Sequence, residues 1–166
     1  EENPLYMKRP GNIDRKIEYD PDSRQYIIYE KIGDMYYRLP KTMSLKEYFE
    51  TTNGVGVLST ADSDGKVDAA IYARPHFVDD GTMAFIMRDR LTHHNLQSNP
   101  HATYLFKEEG SGYRGKRLFM SKLREEENTE LLESLRRRKV AYGNGEDRYL
   151  VFFKLDKELP LVGDGK

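Results

Sequence analysis

The sequence has no cysteine. That excludes a disulfide framework, a thiol nucleophile and any cysteine-ligated metal site, and it suits a reducing compartment, so a cytoplasmic location is expected. No apolar run comes near the roughly 18–20 residues of a membrane-spanning helix, so no membrane span is expected. The opening stretch EENPLYMKRP lacks the build of a secretory signal. There is also no excess of charge of one sign. Lys+Arg 27 against Asp+Glu 28 leaves a formal net charge of -1, which argues against nucleic acid as a partner. Gly-x-Ser-x-Gly, P-loop, GxGxxG and paired-carboxylate signatures are absent, and so are internal repeats and low-complexity tracts.

What is present divides in two. Residues 1–42 carry Tyr6, Tyr19, Tyr26, Tyr29, Tyr36 and Tyr37, half of the 12 tyrosines. Asp20-Pro21-Asp22-Ser23 is a turn signal between Lys16–Tyr19 and Arg24–Glu30, which predicts a β-hairpin, and Ile32-Gly33-Asp34 leads into a third short strand over Met35–Leu39. A meander this small is marginal alone. Met43 is a candidate original start, so residues 1–42 read as an appended extension and residues 43–166 as the main domain.

In that domain SLKEYFETT predicts a helix, with Ser44 and Glu47 as a capping box. Strands are predicted over Val55–Ala61 and Val67–Arg74, joined by the turn Asp62-Ser63-Asp64-Gly65. Pro75 interrupts, His76–Val78 continues extended, and Asp79-Asp80-Gly81 turns into a strand over Met83–Met87. A short helix from Arg90 to Ser98 stops where Pro100 excludes Asn99 from the helical region. Ala102–Phe106, Lys116–Glu125 and Tyr149–Leu155 complete six strands, with Asn128–Lys139 as a helix capped by Asn128 and braced by a Glu133–Arg137 pair. Short turns without βαβ alternation point to a mostly β, α+β architecture: a six-stranded antiparallel barrel with short flanking helices.

The basic turn after the third strand is the first candidate site. Arg88 and Arg90 stand beside Thr92, where a helix begins. Guanidinium forks, a hydroxyl and free helix-start N–H groups suit a phosphate dianion; two ordinary surface arginines in a solvated turn are the plainer reading. His93 sits in the first helical turn, where ligand contact fits better than catalysis. With no HxxxH spacing, His93 and His94 do not form a metal site. Tyr72-Ala73-Arg74-Pro75 ends a strand with a small residue and a donor, suited to a planar ring or simply to an edge strand. Lys116 and Arg117, after a glycine-rich loop, offer a further anion or ring contact.

Three passages, GVLSTADSDGKVDAAIYARPHF, TMAFIMRDRLTHHNLQSNPHATYLF and GKRLFMSKLREEE, closely resemble the pyridoxamine 5′-phosphate oxidase-like FMN-binding split-barrel proteins. The match runs over residues from about 43 to 163 and leaves out residues 1–42. The resemblance implies a six-stranded split β-barrel that forms a homodimer, with FMN at the interface. It implies that the flavin phosphate is held by Arg88, Arg90, Thr92 and His93, and that Tyr72, Ala73, Arg74 and Pro75 line the isoalloxazine. It also implies a flavin-dependent oxidoreductase acting on a small-molecule substrate or electron donor.

One departure bears on activity. The family's oxidases have Ser-x-Lys in the turn, where this chain has Thr92 or His93, and their C-terminal Arg-x-His is missing. Oxidation of pyridoxamine phosphate itself is therefore not expected. Coenzyme F420 and haem are the alternative ligands, haem with His93, His94 or His101 as its axial residue. A non-catalytic carrier, or an interaction module that uses the N-terminal strands, is the alternative function.

Overall fold

A computed structural model describes residues 5–9, 13–21, 25–38, 43–78, 82–136 and 147–163. The chain divides into two compact units, Glu1–Ser44 and Leu45–Lys166.

The first unit is a four-stranded antiparallel meander of β1 (Leu5–Arg9), β2 (Ile13–Asp20), β3 (Gln25–Ile32) and β4 (Met35–Arg38). The expected hairpin is β2–β3, with Tyr19 opposite Tyr26 and Asp20 opposite Gln25. Directly across that pair, Arg15 bonds Glu30 at 3.0 Å. The Lys16 amine lies over the rings of Tyr29 and Tyr36, 5.7 and 5.9 Å from their centroids. Strand β1 was not foreseen, because five residues reading LYMKR show no clear alternation. The positions of Asp22–Arg24 and Leu39 lie outside the described residues.

The second unit holds α1 (Leu45–Thr51), β5 (Gly54–Ala61), β6 (Val67–Tyr72), β7 (His76–Phe77), β8 (Met83–Arg88), α2 (Leu91–Ser98), β9 (His101–Glu108), β10 (Gly115–Glu127), α3 (Glu130–Leu135) and β11 (Arg148–Pro160). All six expected strands are present, and the extended stretch after Pro75 forms the two-residue β7. They make one antiparallel sheet in the order β6-β5-β9-β10-β11-β8-β7. Its local punctuation follows from the residues. The Asp62 carboxylate accepts from the N–H groups of Asp64 and Lys66, both at 2.9 Å, and Gly65 takes the left-handed φ of 80° that the turn needs.

Register shifts between Phe119 and Met120, and between Lys122 and Arg124, bend β10. Bulges of this kind sharpen local twist, and here they help the sheet curl on itself. The inner face then meets itself in one core: Leu58, Phe85, Tyr104, Phe106, Leu118 and Phe153 are fully buried there, with Phe49 of α1 among them. On the opposite face of β8 and β11, Ala84, Leu150 and Phe152 are covered by Leu132 and Leu135 of α3.

Several boundaries differ from the sequence reading, among them the end of β6 at Tyr72 rather than Arg74. Helix α3 is capped by Thr129, whose hydroxyl accepts from the Leu132 N–H at 3.3 Å. Asn128 instead takes φ 46° and exchanges hydrogen bonds with the Arg148 backbone at 2.9 and 3.1 Å, closing the start of β11. Strand β11 runs on to Pro160, because the long β10 supplies a partner as far as Lys116. The expected extension of α3 to Lys139, the Glu133–Arg137 pair, the turn Asp79–Gly81 and residues 164–166 fall outside the described residues.

Candidate functional site

The curled sheet does not close. Strand β7 pairs only with Met83 and Ala84, so the rest of β8 lies past its reach and faces the β6 side of the sheet. Tyr72 and Phe85 meet edge-to-face across that opening, centroids 6.2 Å apart. A cavity of about 1010 Å³ occupies it, lined by Val55, Gly56, Tyr72, Ala73, Phe85 and Met87 on its apolar side. Side chains alternate along a strand, so the cavity passes round the β8 edge to Ile86 and Arg88 on the α3 face. Arg148 and Arg136 line that part.

Two contacts set the wall. The Tyr104 hydroxyl donates to the Ala73 carbonyl at 3.1 Å, holding the segment after β6 in place. Arg74 lies against the end of α1, donating to the Phe49 and Thr52 carbonyls at 2.8 and 2.9 Å. Charge-assisted bonds to helix-end carbonyls are among the stronger kinds, so this arginine fixes helix and cavity wall together.

The structure thus divides the ten residues singled out in the sequence. Tyr72, Ala73, Arg74 and Arg88 come together at the cavity. Pro75 is buried beside a smaller hollow under α1. Arg90 is the exposed N-cap of α2 and makes no side-chain cap bond. Thr92 and His93 are only 4% and 5% exposed and face inward. The Thr92 hydroxyl donates to Asp68 at 3.0 Å. Burial raises the Tyr72 phenol, and Asp68 adds to this, while the neighbouring Thr92 hydroxyl and the Arg90 charge oppose it. The start of α2 therefore carries a carboxylate of its own, which no reading of the turn alone could include.

His93 stacks on Tyr149, centroids 3.9 Å apart, with Nδ1 3.1 Å from Asp89 and Nε2 3.2 Å from Glu125. Gln97 donates to the same Glu125 oxygen at 3.2 Å, and Lys122 pairs with it at 2.6 Å. Together these groups lock α2 to β10 and β11. Lys116 and Arg117 stand at the other end of β10. Lys116 pairs with Glu158 and sits 4.8 Å over the Tyr48 ring, and Arg117 donates to the Pro160 and Gly163 carbonyls. Neither lines the cavity. Of the histidines, His76 lines it; His94 is exposed and His101 contacts Ser121 at 3.2 Å. Among the described residues no group of three or more His, Cys, Asp and Glu is placed to hold a metal ion, and no helix is long and apolar enough to cross a membrane.

The lock on α2 has a testable pH dependence. Burial alone would raise the Glu125 carboxyl, but the hydrogen bonds from Lys122 and Gln97 outweigh it and hold the group below its ordinary 4.5. A carboxylate lowered by folding contributes stability above its unfolded value and loses it as pH falls through its folded one. The thermal midpoint of the wild type should therefore fall more steeply than that of Glu125→Gln between about pH 5 and pH 3. Parallel profiles in a melting series would show that the clamp contributes nothing.

Solved structures resemble this arrangement at low identity. An FMN-binding protein from Syntrophomonas wolfei subsp. wolfei superposes with a TM-score of 0.56 at 20% identity, covering 71% of this chain and 84% of its own. An F420 reductase gives 0.53 at 13%, covering 73% and 98%, and Group A Streptococcus HupZ gives 0.52 at 17%, covering 74% and 94%. The fold is a split β-barrel. No protein-family model and no curated protein matches the sequence. In split-barrel terms, the cavity lies in the split, between the β6 end of the sheet and the open edge of β8.

The residues missed from the sequence are those that the split brings in from afar: Phe85, Met87, Arg136 and Arg148. Phe85 and Met87 read as core residues, and nothing local marks Arg148 as the cross-strand partner of Arg88.

Proposed function

We propose that the Leu45–Lys166 unit binds FMN in the split and works as a flavin-dependent oxidoreductase on a small molecule. The observation that carries this reading is the cavity of about 1010 Å³, with an apolar, partly aromatic wall on one side and arginines on the other. It has the size and lining of a cofactor site, and it fits a ligand that joins a flat ring to an anionic tail. Bound flavin would supply hydride or electron transfer.

The chain's own residues provide the setting. Tyr72, Phe85 and Met87 exclude water from the ring side, and Ala73 lets a planar group lie against the backbone. Arg74, held by α1, keeps a positive charge at the wall, which favours a reduced, anionic flavin. Arg88 and Arg90 contribute positive charge toward the tail. Thr92 and His93 act through Asp68 and Glu125, by fixing the helix start.

The protein acts as a homodimer in this reading. The outer face of β5, β6 and β9 presents Val57 between Ile71 and Leu105, with Val55 and Val67 nearby. Ile71 and Val67 are 79% and 76% exposed in the single chain, and contiguous apolar surface of this kind marks an interaction site. Lys116 and Arg117 would reach the ligand only from a second subunit.

The test is the spectrum and mass of whatever co-purifies, with a thermal titration. A yellow protein that bleaches with dithionite is expected, and FMN at a hundred times its Kd should add about 2.7 kcal/mol of stability. A colourless protein that FMN does not protect rules out the proposal, and a Soret band would replace flavin by haem.

A further inference from the structure

The meander of the first unit has two unlike faces. Side chains alternate along each strand, and the pairing puts Ile17 beside Ile28, Arg15 beside Glu30 and Tyr37, and Ile32 beside Met35 on one of them. The other face carries Asp14, Lys16, Glu18, Asp20, Lys31 and Arg38. A sheet with one apolar face buries it against a second layer. Among the described residues this unit is a single sheet without a helix. Ile28, Ile32, Met35 and Tyr37 are accordingly left 38%, 62%, 64% and 52% exposed.

One ion pair interrupts this face, and its bonding is lopsided. Arg15 donates from Nε and Nη2, at 3.1 and 3.0 Å, and both bonds fall on the same Glu30 oxygen, Oε2. Among the described residues Nη1 of Arg15 and Oε1 of Glu30 take no partner. Such a face is complementary to itself. A two-fold axis along the strands, between β2 and β3, lays the sheet over its copy in the aligned packing of sandwiches. That sets Ile17 of each copy against Ile28 of the other, and Nη1 of each Arg15 against Oε1 of the other Glu30. The two charges cancel within the face, so it has no pull on a partner of net charge.

We propose that the meanders of two copies of this chain pack apolar face to apolar face. The proposal rests on the homodimer of the preceding reading. Strands of five, eight, eight and four residues give a footprint on the order of 400 Å² per copy. Two such footprints fall well short of the about 1,200–2,000 Å² buried in a stable interface. The contact therefore does not hold a dimer by itself. It closes once the Leu45–Lys166 units have joined, which raises the effective concentration of one meander around the other to about the millimolar range.

The chain has no cysteine, so a single introduced thiol reports on its own position alone. Ile17→Cys and Ile28→Cys flank the axis, and Glu18→Cys lies on the polar face. Each full-length variant is treated with a short bis-maleimide, its rate of linking is divided by its rate of labelling with a single-armed maleimide, and its mass is followed by sedimentation velocity. Ile17→Cys and Ile28→Cys should link at least about tenfold faster than Glu18→Cys on that scale. The two report independently, so loss of fold in one leaves the other to decide. A dimer in which neither links faster than Glu18→Cys overturns the meander contact and leaves the homodimer standing. A dimer in which both are shielded from the single-armed reagent without linking has another occupant on this face, and that overturns the contact too. A monomeric wild type removes the homodimer instead. The contact then stands if Ile28→Cys still links selectively at millimolar protein, and falls if it does not.

Discussion

Gly56→Ala is expected to be among the most damaging single substitutions in the protein, although it adds one methyl group. A Cβ at Gly56 would stand 1.8 Å from the Tyr104 hydroxyl oxygen and 2.2 Å from the ring carbon that bears it. The Tyr104 ring cannot step aside cheaply. It is fully buried and packs against Phe49, Phe85 and Phe106 at centroid distances of 6.1, 5.0 and 6.3 Å. Overpacking of such a site costs about 1–3 kcal/mol, and more where a ring must leave its rotamer. Losing the Tyr104 bond to the Ala73 carbonyl adds about 1 kcal/mol. A fall of roughly 10 °C in the thermal midpoint is the expected result. The Ala73 segment should loosen with it, so ligand affinity should drop beyond what the lost stability explains. A midpoint within about 2 °C of wild type would mean that the strand crossing at Gly56 is looser than described.

The second large effect concerns assembly. Leu105 lies on the outer face between Val57 of β5 and Arg117 of β10, across from the core-facing side of β9. In the proposed homodimer, Leu105→Asp places a carboxylate in each half of a two-fold interface, so two charges are desolvated together. Breaking such a contact should shift the protein from dimer to monomer in sedimentation velocity at micromolar concentration. It should also weaken FMN binding by more than tenfold, because Lys116 and Arg117 of a second subunit would no longer reach the ligand. The point of substitution does not line the cavity. If the variant stays dimeric, or if the wild type is monomeric and binds FMN equally well, this face is not the interface.

Much of the barrel was legible because its strands carry their own signals. Alternation in Val55–Ala61 and the Asp62–Gly65 turn define a hairpin with no outside information, and the structure pairs Ala61 with Val67 accordingly. The Asn-Pro stop after α2 is equally local. What stayed hidden depends on pairing. Arg148 acquires meaning only once β11 lies beside β8, and no periodicity encodes that neighbour. Thr92 looked like a free hydroxyl at a helix start because Asp68 sits three elements back in the chain. Asn128 and Thr129 are both good caps, and only the return of the chain at Arg148 decides between them. Of the residues singled out in the sequence, Tyr72, Ala73, Arg74 and Arg88 meet at one cavity, whereas the helix-start residues turn away from it.

The bonds from Arg74 to Phe49 and Thr52 reach beyond the cavity wall. Helix α1 has only seven residues, too few to persist by its own backbone bonding. It is held by Tyr48 and Phe49 in the core and by this one guanidinium at its end. Local unfolding of α1 and widening of the split are therefore a single opening event rather than two. Whatever fills the split raises the free energy of that event, and so acts as a latch on the first helix of the domain.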